Sequence, residues 1–150
     1  MIISGMEIVY NEQLMAEVNE KMQVVDCSKD GRCSDCGQCC TNILPVNFQE
    51  INRIQRFIEK HKIQACTHFA PLANFGGDMI CPFRDGKEKR CTIYPVRPAA
   101  CKSFFCGNTR EAILAARDKV YRNSSLEIDM RATFFGGPPV AEEYLKSQMR

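Results

Sequence analysis

The clearest pattern in the chain is a set of apolar residues at helical intervals that begins near residue 48. Its apolar positions are Phe48, Ile51, Ile54, Phe57 and Ile58. Charged residues occupy most of the remaining positions, and Asn47 and Glu50 at its start have the spacing of a capping box. This pattern predicts an amphipathic helix with one face packed on a core.

A second, weaker helical stripe lies near the start of the chain. Asn11 can cap a helix whose apolar positions are Leu14, Val18 and Met22, with Met15 beside them. The residues Glu-Ile-Val-Tyr at 7–10 before it indicate a short strand.

The middle of the chain predicts a β-hairpin. Residues 79–83 and 90–94 flank the turn residues Asp85 and Gly86. If the turn centres on Gly86, Cys81 and Cys91 face each other. Opposed residues of an antiparallel pair are close enough for both sulfurs to reach one metal ion.

The residues after the hairpin predict more helix. Pro98 suits the first turn of a helix that carries Cys101. Asn108 and Glu111 repeat the capping-box spacing, and the helix after them has an apolar face. That face contains Ile113, Ala116 and Val120. After a Gly-Gly-Pro-Pro break, residues 140–145 indicate a last short helix.

These elements predict the class of the fold. Helices outnumber strands, so we expect a small, mostly helical α+β fold with a short hairpin, organised around a cysteine-ligated metal centre. The length of 150 residues, with 45% apolar and 25% charged residues, suits a single domain spanning residues 1–150. Within it we expect a cysteine-cluster core at about residues 27–107, with flanking helices at 11–24 and 108–149.

Composition also limits the compartment and the partners. The N-terminus lacks the pattern of a signal peptide and no apolar run is long enough for a membrane span, so we expect a cytoplasmic protein without a membrane partner. The formal charge of +2 counts every cysteine as neutral, and ionised cysteines would make the chain acidic. The basic residues Lys87, Lys89 and Arg90 indicate a solvated turn, so we expect no nucleic-acid partner.

Ten cysteines are the most informative residues for chemistry, and eight of them form two groups. These eight are Cys33, Cys36, Cys39, Cys40, Cys81, Cys91, Cys101 and Cys106. In a reducing cytoplasm, clustered cysteines ligate metal more often than they form disulfides, so all eight are candidate ligands. Cys27 and Cys66 stand apart and are expected to be small apolar side chains. His61 and His68 are not expected to be ligands.

The spacing within the first group favours iron–sulfur chemistry. Cys33, Cys36 and Cys39 recur at every third residue, as in the loop that grips three irons of a [4Fe–4S] cluster. Cys40 follows at once, and adjacent side chains in extended backbone point to opposite sides, so we expect Cys39 and Cys40 to bind different ions. Two arrangements are compatible with eight thiolates. The protein has either two metal centres with four ligands each, or one centre with four ligands and four further thiols that are structural or redox-active.

The cysteine pattern resembles a known family. The string Cys-Ser-Asp-Cys-Gly-Gln-Cys-Cys, followed by Ile-Tyr-Pro-Val-Arg-Pro-Ala-Ala-Cys at residues 93–101, resembles the CxxCxxCC cysteine-cluster family of zinc- or iron-chelating domains. The resemblance spans about residues 33–106 and implies that all eight clustered cysteines are metal-associated. A related pattern occurs in flagellin lysine methylases, where an iron–sulfur cluster is implied.

One basic residue lies between the ligands of the second group. Four thiolates on a [4Fe–4S]²⁺ core leave a negative centre that a guanidinium can offset and hydrogen-bond. Arg97 is therefore the candidate to contact the cofactor from outside its ligand set.

Together these observations predict a cysteine-rich metal-binding protein. We favour an iron–sulfur cluster over zinc, with a role in electron transfer, redox sensing or a cluster-dependent step performed with a protein partner. One alternative is a zinc-organised interaction module, and another is a partner-dependent methyltransferase related to the flagellin lysine methylases. No metal-independent catalytic constellation is visible, so the sequence leaves open whether the protein is an enzyme.

Overall fold

A computed structural model describes residues 3–21, 39–68, 79–103 and 108–136. Its elements in chain order are β1 (Gly5–Glu7), α1 (Glu12–Lys21), β2 (Ile43–Val46), α2 (Phe48–His61), β3 (Arg84–Asp85), β4 (Arg90–Cys91), a 3₁₀ turn (Tyr94–Val96), α3 (Ala99–Ser103), α4 (Arg110–Asn123), β5 (Leu126–Asp129) and α5 (Met130–Phe135). Within these described ranges, five α-helices and short antiparallel sheets give a small α+β fold, as predicted from the sequence.

A three-stranded antiparallel sheet in the order β1-β5-β2 joins distant parts of the chain. Pro45 lies on the edge strand β2, opposite Glu127 of β5, where a residue without an N–H is tolerated. Gly5 of β1 approaches β5 so closely that a Cβ there would lie 2.6 Å from the carbonyl oxygen of Glu127. A residue with a side chain would therefore push the two strands apart.

The core lies between this sheet, α2 and the hairpin segment. Its fully buried side chains include Val46, Ile51, Ile54, Phe83, Ile128 and Met130. The Phe83 ring contacts the rings of Phe134 and Phe135, with centroids 5.7 and 5.4 Å away. The hairpin that carries the second cysteine group is thereby packed against α5.

The helix at residue 48 forms as its pattern predicts. The Asn47 side chain accepts a hydrogen bond from the N–H of Glu50 at 2.8 Å, and the Glu50 carboxylate accepts one from the N–H of Asn47 at 3.1 Å. Ile51, Ile54 and Ile58 are buried, whereas Phe48 remains 55% exposed. The capping box and most of the apolar face are therefore confirmed.

The helix near the N-terminus is also present. The Asn11 side chain accepts a hydrogen bond from the N–H of Leu14 at 3.0 Å. Met15 is the buried residue of α1, and Leu14 is 46% exposed. The strand before it is shifted from the predicted residues 7–10, because β1 ends at Glu7 and the N–H of Ile8 donates to Ser125.

The hairpin exists, but its predicted register is wrong. Cys91 pairs with Arg84 rather than with Cys81. Pro82 cannot donate to a ladder, and the chain turns at this point, with the N–H of Arg84 donating to the carbonyl of Cys81 at 3.0 Å. The side chain of Asp85 then accepts hydrogen bonds from Lys87 and Glu88 and closes the loop.

The C-terminal flank contains more than the predicted helices. Thr109, rather than Asn108, caps α4, and its hydroxyl accepts a hydrogen bond from the N–H of Ala112 at 3.2 Å. Ile113 and Val120 are buried as expected. Strand β5 and helix α5 follow within the range predicted as helix only, and the helix predicted at 140–145 lies outside the described residues.

Among the described residues, no helix has both the length and the apolar character needed to cross a membrane.

Candidate metal centre

Five of the eight candidate ligands lie in the described part of the chain. Cys39 and Cys40 precede β2, Cys81 lies in the turn before β3, Cys91 is on β4 and Cys101 is on α3. Cys33, Cys36 and Cys106 lie outside the described residues, as does Cys27. The described cysteines therefore come from three separate segments of the chain.

Backbone hydrogen bonds bring the first two segments together. Thr41 and Ile80 form an isolated antiparallel bridge, and the N–H of Cys81 donates to the carbonyl of Cys40 at 3.4 Å. On the other side of this bridge the N–H of Asn42 donates to Met79 at 2.9 Å. Cys40 and Cys81 are therefore adjacent in space, although they lie in different segments of the chain.

The third segment is positioned by a buried carboxylate. Glu50, only 9% exposed, caps α2 with one oxygen and accepts the N–H of Ala99 with the other at 2.6 Å. Ala99 begins α3, where the N–H of Cys101 donates to Pro98. The same side chain therefore holds the start of two helices and with them Cys101.

The five thiols influence one another electrostatically. Burial raises the pKa of Cys81 to about 12, and the neighbouring thiols of Cys101 and Cys91 raise it further. Burial likewise raises the pKa of Cys101 to about 12, assisted by Cys91 and Cys39. Burial also raises the pKa of Cys91. Ionising several of these thiols together is unfavourable without a nearby positive charge.

The side chains of Cys39 and Cys40 interact with each other. The thiol of Cys39 hydrogen-bonds to the sulfur of Cys40, which raises the pKa of Cys39 and lowers that of Cys40. The two sulfurs therefore lie on the same side of the chain. The expectation of opposite directions is wrong because it assumed extended backbone, whereas Cys39 lies in a turn.

Three arginines supply positive charge around the thiols. Arg84 lowers the pKa of Cys39, Cys40 and Cys91, and Arg97 lowers that of Cys91 and Cys101. Arg131 acts on Cys81 and Cys66. Arg97 thus lies near two candidate ligands, whereas Arg84 and Arg131 were not singled out in the sequence. The position of Arg84 in the hairpin, one residue from the turn, is the signal that could have indicated it.

Comparison with known proteins identifies the family. The family model CxxCxxCC, described as "Putative zinc- or iron-chelating domain", matches residues 32–122, more than half of the chain. The chain belongs to the CxxCxxCC family. Comparisons with curated proteins and with solved structures gave no match.

Family membership supports a cysteine-rich protein that binds metal, with zinc and iron as the two metals that the CxxCxxCC description names. Among the described residues, no group of three or more His, Cys, Asp or Glu side chains is arranged to hold a metal ion. The chemistry of the donor set nevertheless fits such an ion, because soft thiolates suit Zn²⁺ and iron–sulfur clusters. A cation would also offset the repulsion between buried thiolates.

In this CxxCxxCC protein, the two histidines and Cys66, which were not expected to be ligands, make contacts within the fold. The Nε2–H of His68 donates to the carbonyl of Arg84 and so supports the hairpin. The ring of His61 packs on that of Phe57, with centroids 4.2 Å apart. Cys66 is half-buried; its N–H donates to Pro82 at 2.7 Å and its carbonyl accepts from Arg131 at 2.7 Å.

Proposed function

We propose that this protein carries an iron–sulfur cluster held by thiolates from both cysteine groups, and that the cluster serves electron transfer, redox sensing or a cluster-dependent step with a protein partner. The observation that carries the proposal is the match of residues 32–122 to zinc- or iron-chelating domains, and the backbone hydrogen bond between Cys81 and Cys40, which joins the two cysteine groups, is consistent with it. When bound, such a cluster supplies one-electron chemistry.

The ligands proposed from the described residues are Cys39, Cys40, Cys81, Cys91 and Cys101, together with Cys33, Cys36 and Cys106 from the rest of the chain. The spacing of Cys33, Cys36 and Cys39 favours iron–sulfur over zinc. Cys39 is exposed, whereas Cys81 is buried. A centre held by both would extend from the core to the surface, where a partner could exchange electrons with it.

Zinc is the second candidate, and a specific observation favours it. The strands of the hairpin that carries Cys91 are very short, since β3 and β4 have two residues each. Elements of this length are not stable alone, and a structural zinc ion contributes folding free energy directly. On this reading the protein is a zinc-organised module that presents its helices to a partner.

Anaerobic purification followed by elemental analysis separates the two candidates. Iron with acid-labile sulfide and a brown colour supports the cluster, and colourless protein with zinc supports the module. Folded protein that contains neither metal would contradict both.

Matched cysteine variants test the ligand set. Cys91→Ser and Cys101→Ser are expected to lose most of the metal, because each removes a thiolate that the remaining ligands cannot replace. Cys66→Ser is the control. The N–H of Cys66 donates to Pro82 beside the hairpin. Burial and Asp85 raise the pKa of Cys66 and Arg131 opposes them, whereas the other thiols have no part in the shift. Equal metal loss in all three variants would contradict the assignment.

A further inference from the structure

Strand β1 has an open edge. It lies at one end of the sheet order β1-β5-β2, and within the described ranges no strand pairs with its outer side. Such an edge presents unpaired N–H and C=O groups to another strand, and proteins often protect it with proline or lysine. Residues 3–9 contain neither of these.

The hydrogen bonds to β5 show which backbone groups are left for a further strand. The N–H of Asp129 donates to the carbonyl of Ser4 at 2.9 Å, and the N–H of Ile8 donates to the carbonyl of Ser125 at 3.0 Å. Successive residues of a β-strand direct these groups to alternate edges. The even-numbered residues of the segment therefore bond to β5, and the N–H and C=O groups of the odd-numbered residues point away from it.

The opposite end of the sheet differs in both respects. Strand β2 contains Pro45, which has no N–H to donate, and all four of its residues are buried. A buried strand that lacks a donor is a poor template for pairing. The sheet is therefore open to extension at β1 rather than at β2.

Two exposed apolar side chains lie at the ends of this edge. Ile3 is 40% exposed and Val9 is 84% exposed. Single exposed apolar residues are ordinary on a protein surface. These two, however, lie at equal distances along the chain from Met6 and belong to the odd-numbered set. That spacing makes the edge complementary to a second copy of itself.

We propose that β1 pairs with β1 of a second copy of this chain, antiparallel about a two-fold axis at Met6. Pairing by strand addition would join the two three-stranded sheets into one sheet across the dimer. The inference goes beyond the proposed function and does not depend on which metal is bound.

Charge and apolar contact select the position of the axis. An axis at Glu7 would oppose the two Glu7 carboxylates, and like charges directly opposite one another are destabilising. An axis at Gly5 would oppose Ile3 and Glu7. An axis at Met6 instead opposes Ile3 with Val9 and Glu7 with Gly5, so each apolar side chain gains an apolar partner and the carboxylates are separated.

Sedimentation equilibrium of the full chain, as purified under anaerobic reducing conditions, tests the pairing without interference from intermolecular disulfides. Wild type is expected to show a monomer–dimer equilibrium. Ile3→Lys and Val9→Lys should each raise the dimer dissociation constant about 10-fold or more, because the symmetry replaces each apolar pair twice. Phe48→Lys is the control, since Phe48 is 55% exposed on α2, and it should stay within about 3-fold of wild type.

Two further variants test the register and the backbone bonds. Ile3→Lys/Val9→Glu places opposite charges across the axis at Met6 and is expected to recover the dimer that each single lysine variant loses. Glu7→Pro removes an N–H that points away from β5, so it should weaken the dimer while circular dichroism stays native.

Three results would overturn the inference. The first is a wild type that is monomeric at about 1 mM chain. The second is a dimer that Ile3→Lys, Val9→Lys and Glu7→Pro all leave intact. The third is tighter dimerisation of Ile3→Lys alone, which would place the axis at Gly5, where position 3 faces Glu7. None of these results concerns the metal content, so the proposed function stands or falls separately.

Discussion

At the scale of single residues, Asn42 connects the first cysteine group to the sheet. It is 1% exposed, and its Nδ2–H donates to Asp129 at 2.8 Å while its Oδ1 accepts the N–H of Arg131 at 2.9 Å. Its backbone also bonds to Met79 and Met130. Because Asn42 lies two residues after Cys40, these bonds determine where the vicinal cysteines sit relative to β5.

Asn42→Ala is expected to lower the free energy of unfolding by about 1–3 kcal/mol, because it leaves buried polar partners unsatisfied. Urea denaturation followed by circular dichroism measures this change. Asn52→Ala, at an exposed position of α2, is the control and should change stability by less than about 0.5 kcal/mol. Similar stabilities for the two variants would show that the Asn42 network contributes little.

At the scale of elements, β5 is the central strand, and one of its side chains is a half-buried ionisable group. Glu127 lines a cleft between α1 and α4, together with Val18, Arg117 and Tyr121. Burial raises the pKa of the Glu127 carboxyl above its ordinary value of 4.5, and Arg117 only partly opposes this. Folding therefore favours the protonated form of Glu127 relative to the unfolded chain.

This shift has a definite consequence for stability. A group with a raised pKa in the folded state contributes its stabilisation below pH 4.5, and the contribution is lost as the pH rises through the raised value. Wild type should therefore lose stability relative to Glu127→Gln as the pH rises from 4.5 through the raised pKa of Glu127. Urea unfolding across this range measures the difference. Glu7→Gln, at an exposed position of β1, should follow the wild-type profile, and a parallel profile for Glu127→Gln would contradict the prediction.

At the scale of the whole molecule, two regions differ in what holds them together. The sheet β1-β5-β2 combines ladder hydrogen bonds with a core of fully buried side chains such as Val46 and Ile128. The segment at residues 79–103 consists of short elements whose thiols repel one another when ionised. The second region therefore depends more on a bound cation.

Metal removal is accordingly expected to loosen residues 79–103 first. Amide hydrogen exchange should show faster exchange at Thr92 and Cys101 after chelation, while the amides of β5 keep their protection. Restoring the metal should reverse the effect. Equal loss of protection in both regions would mean that the fold depends on metal throughout, and no change in either would contradict a stabilising role for the metal.

Local signals account for the elements that the sequence predicted correctly. The capping box of Asn47 and Glu50 and the Asn11 cap involve residues three apart, so each is visible in a short window. Strand β2 escaped prediction because Pro45 argues against a strand, and only its edge position makes that residue acceptable. Arg84 and Asn42 escaped because burial of a polar side chain depends on partners far along the chain.

The amino-acid sequence by itself determined helices α1 and α2, the presence of a hairpin, the α+β class and the family to which the cysteine spacing belongs. Only the tertiary structure decided that Cys91 pairs with Arg84, that Cys39 and Cys40 face the same side, and that β1 and β2 meet on β5. The physical reason is range: caps and spacings act within a few residues, whereas strand pairing and burial depend on contacts between segments separated by many residues.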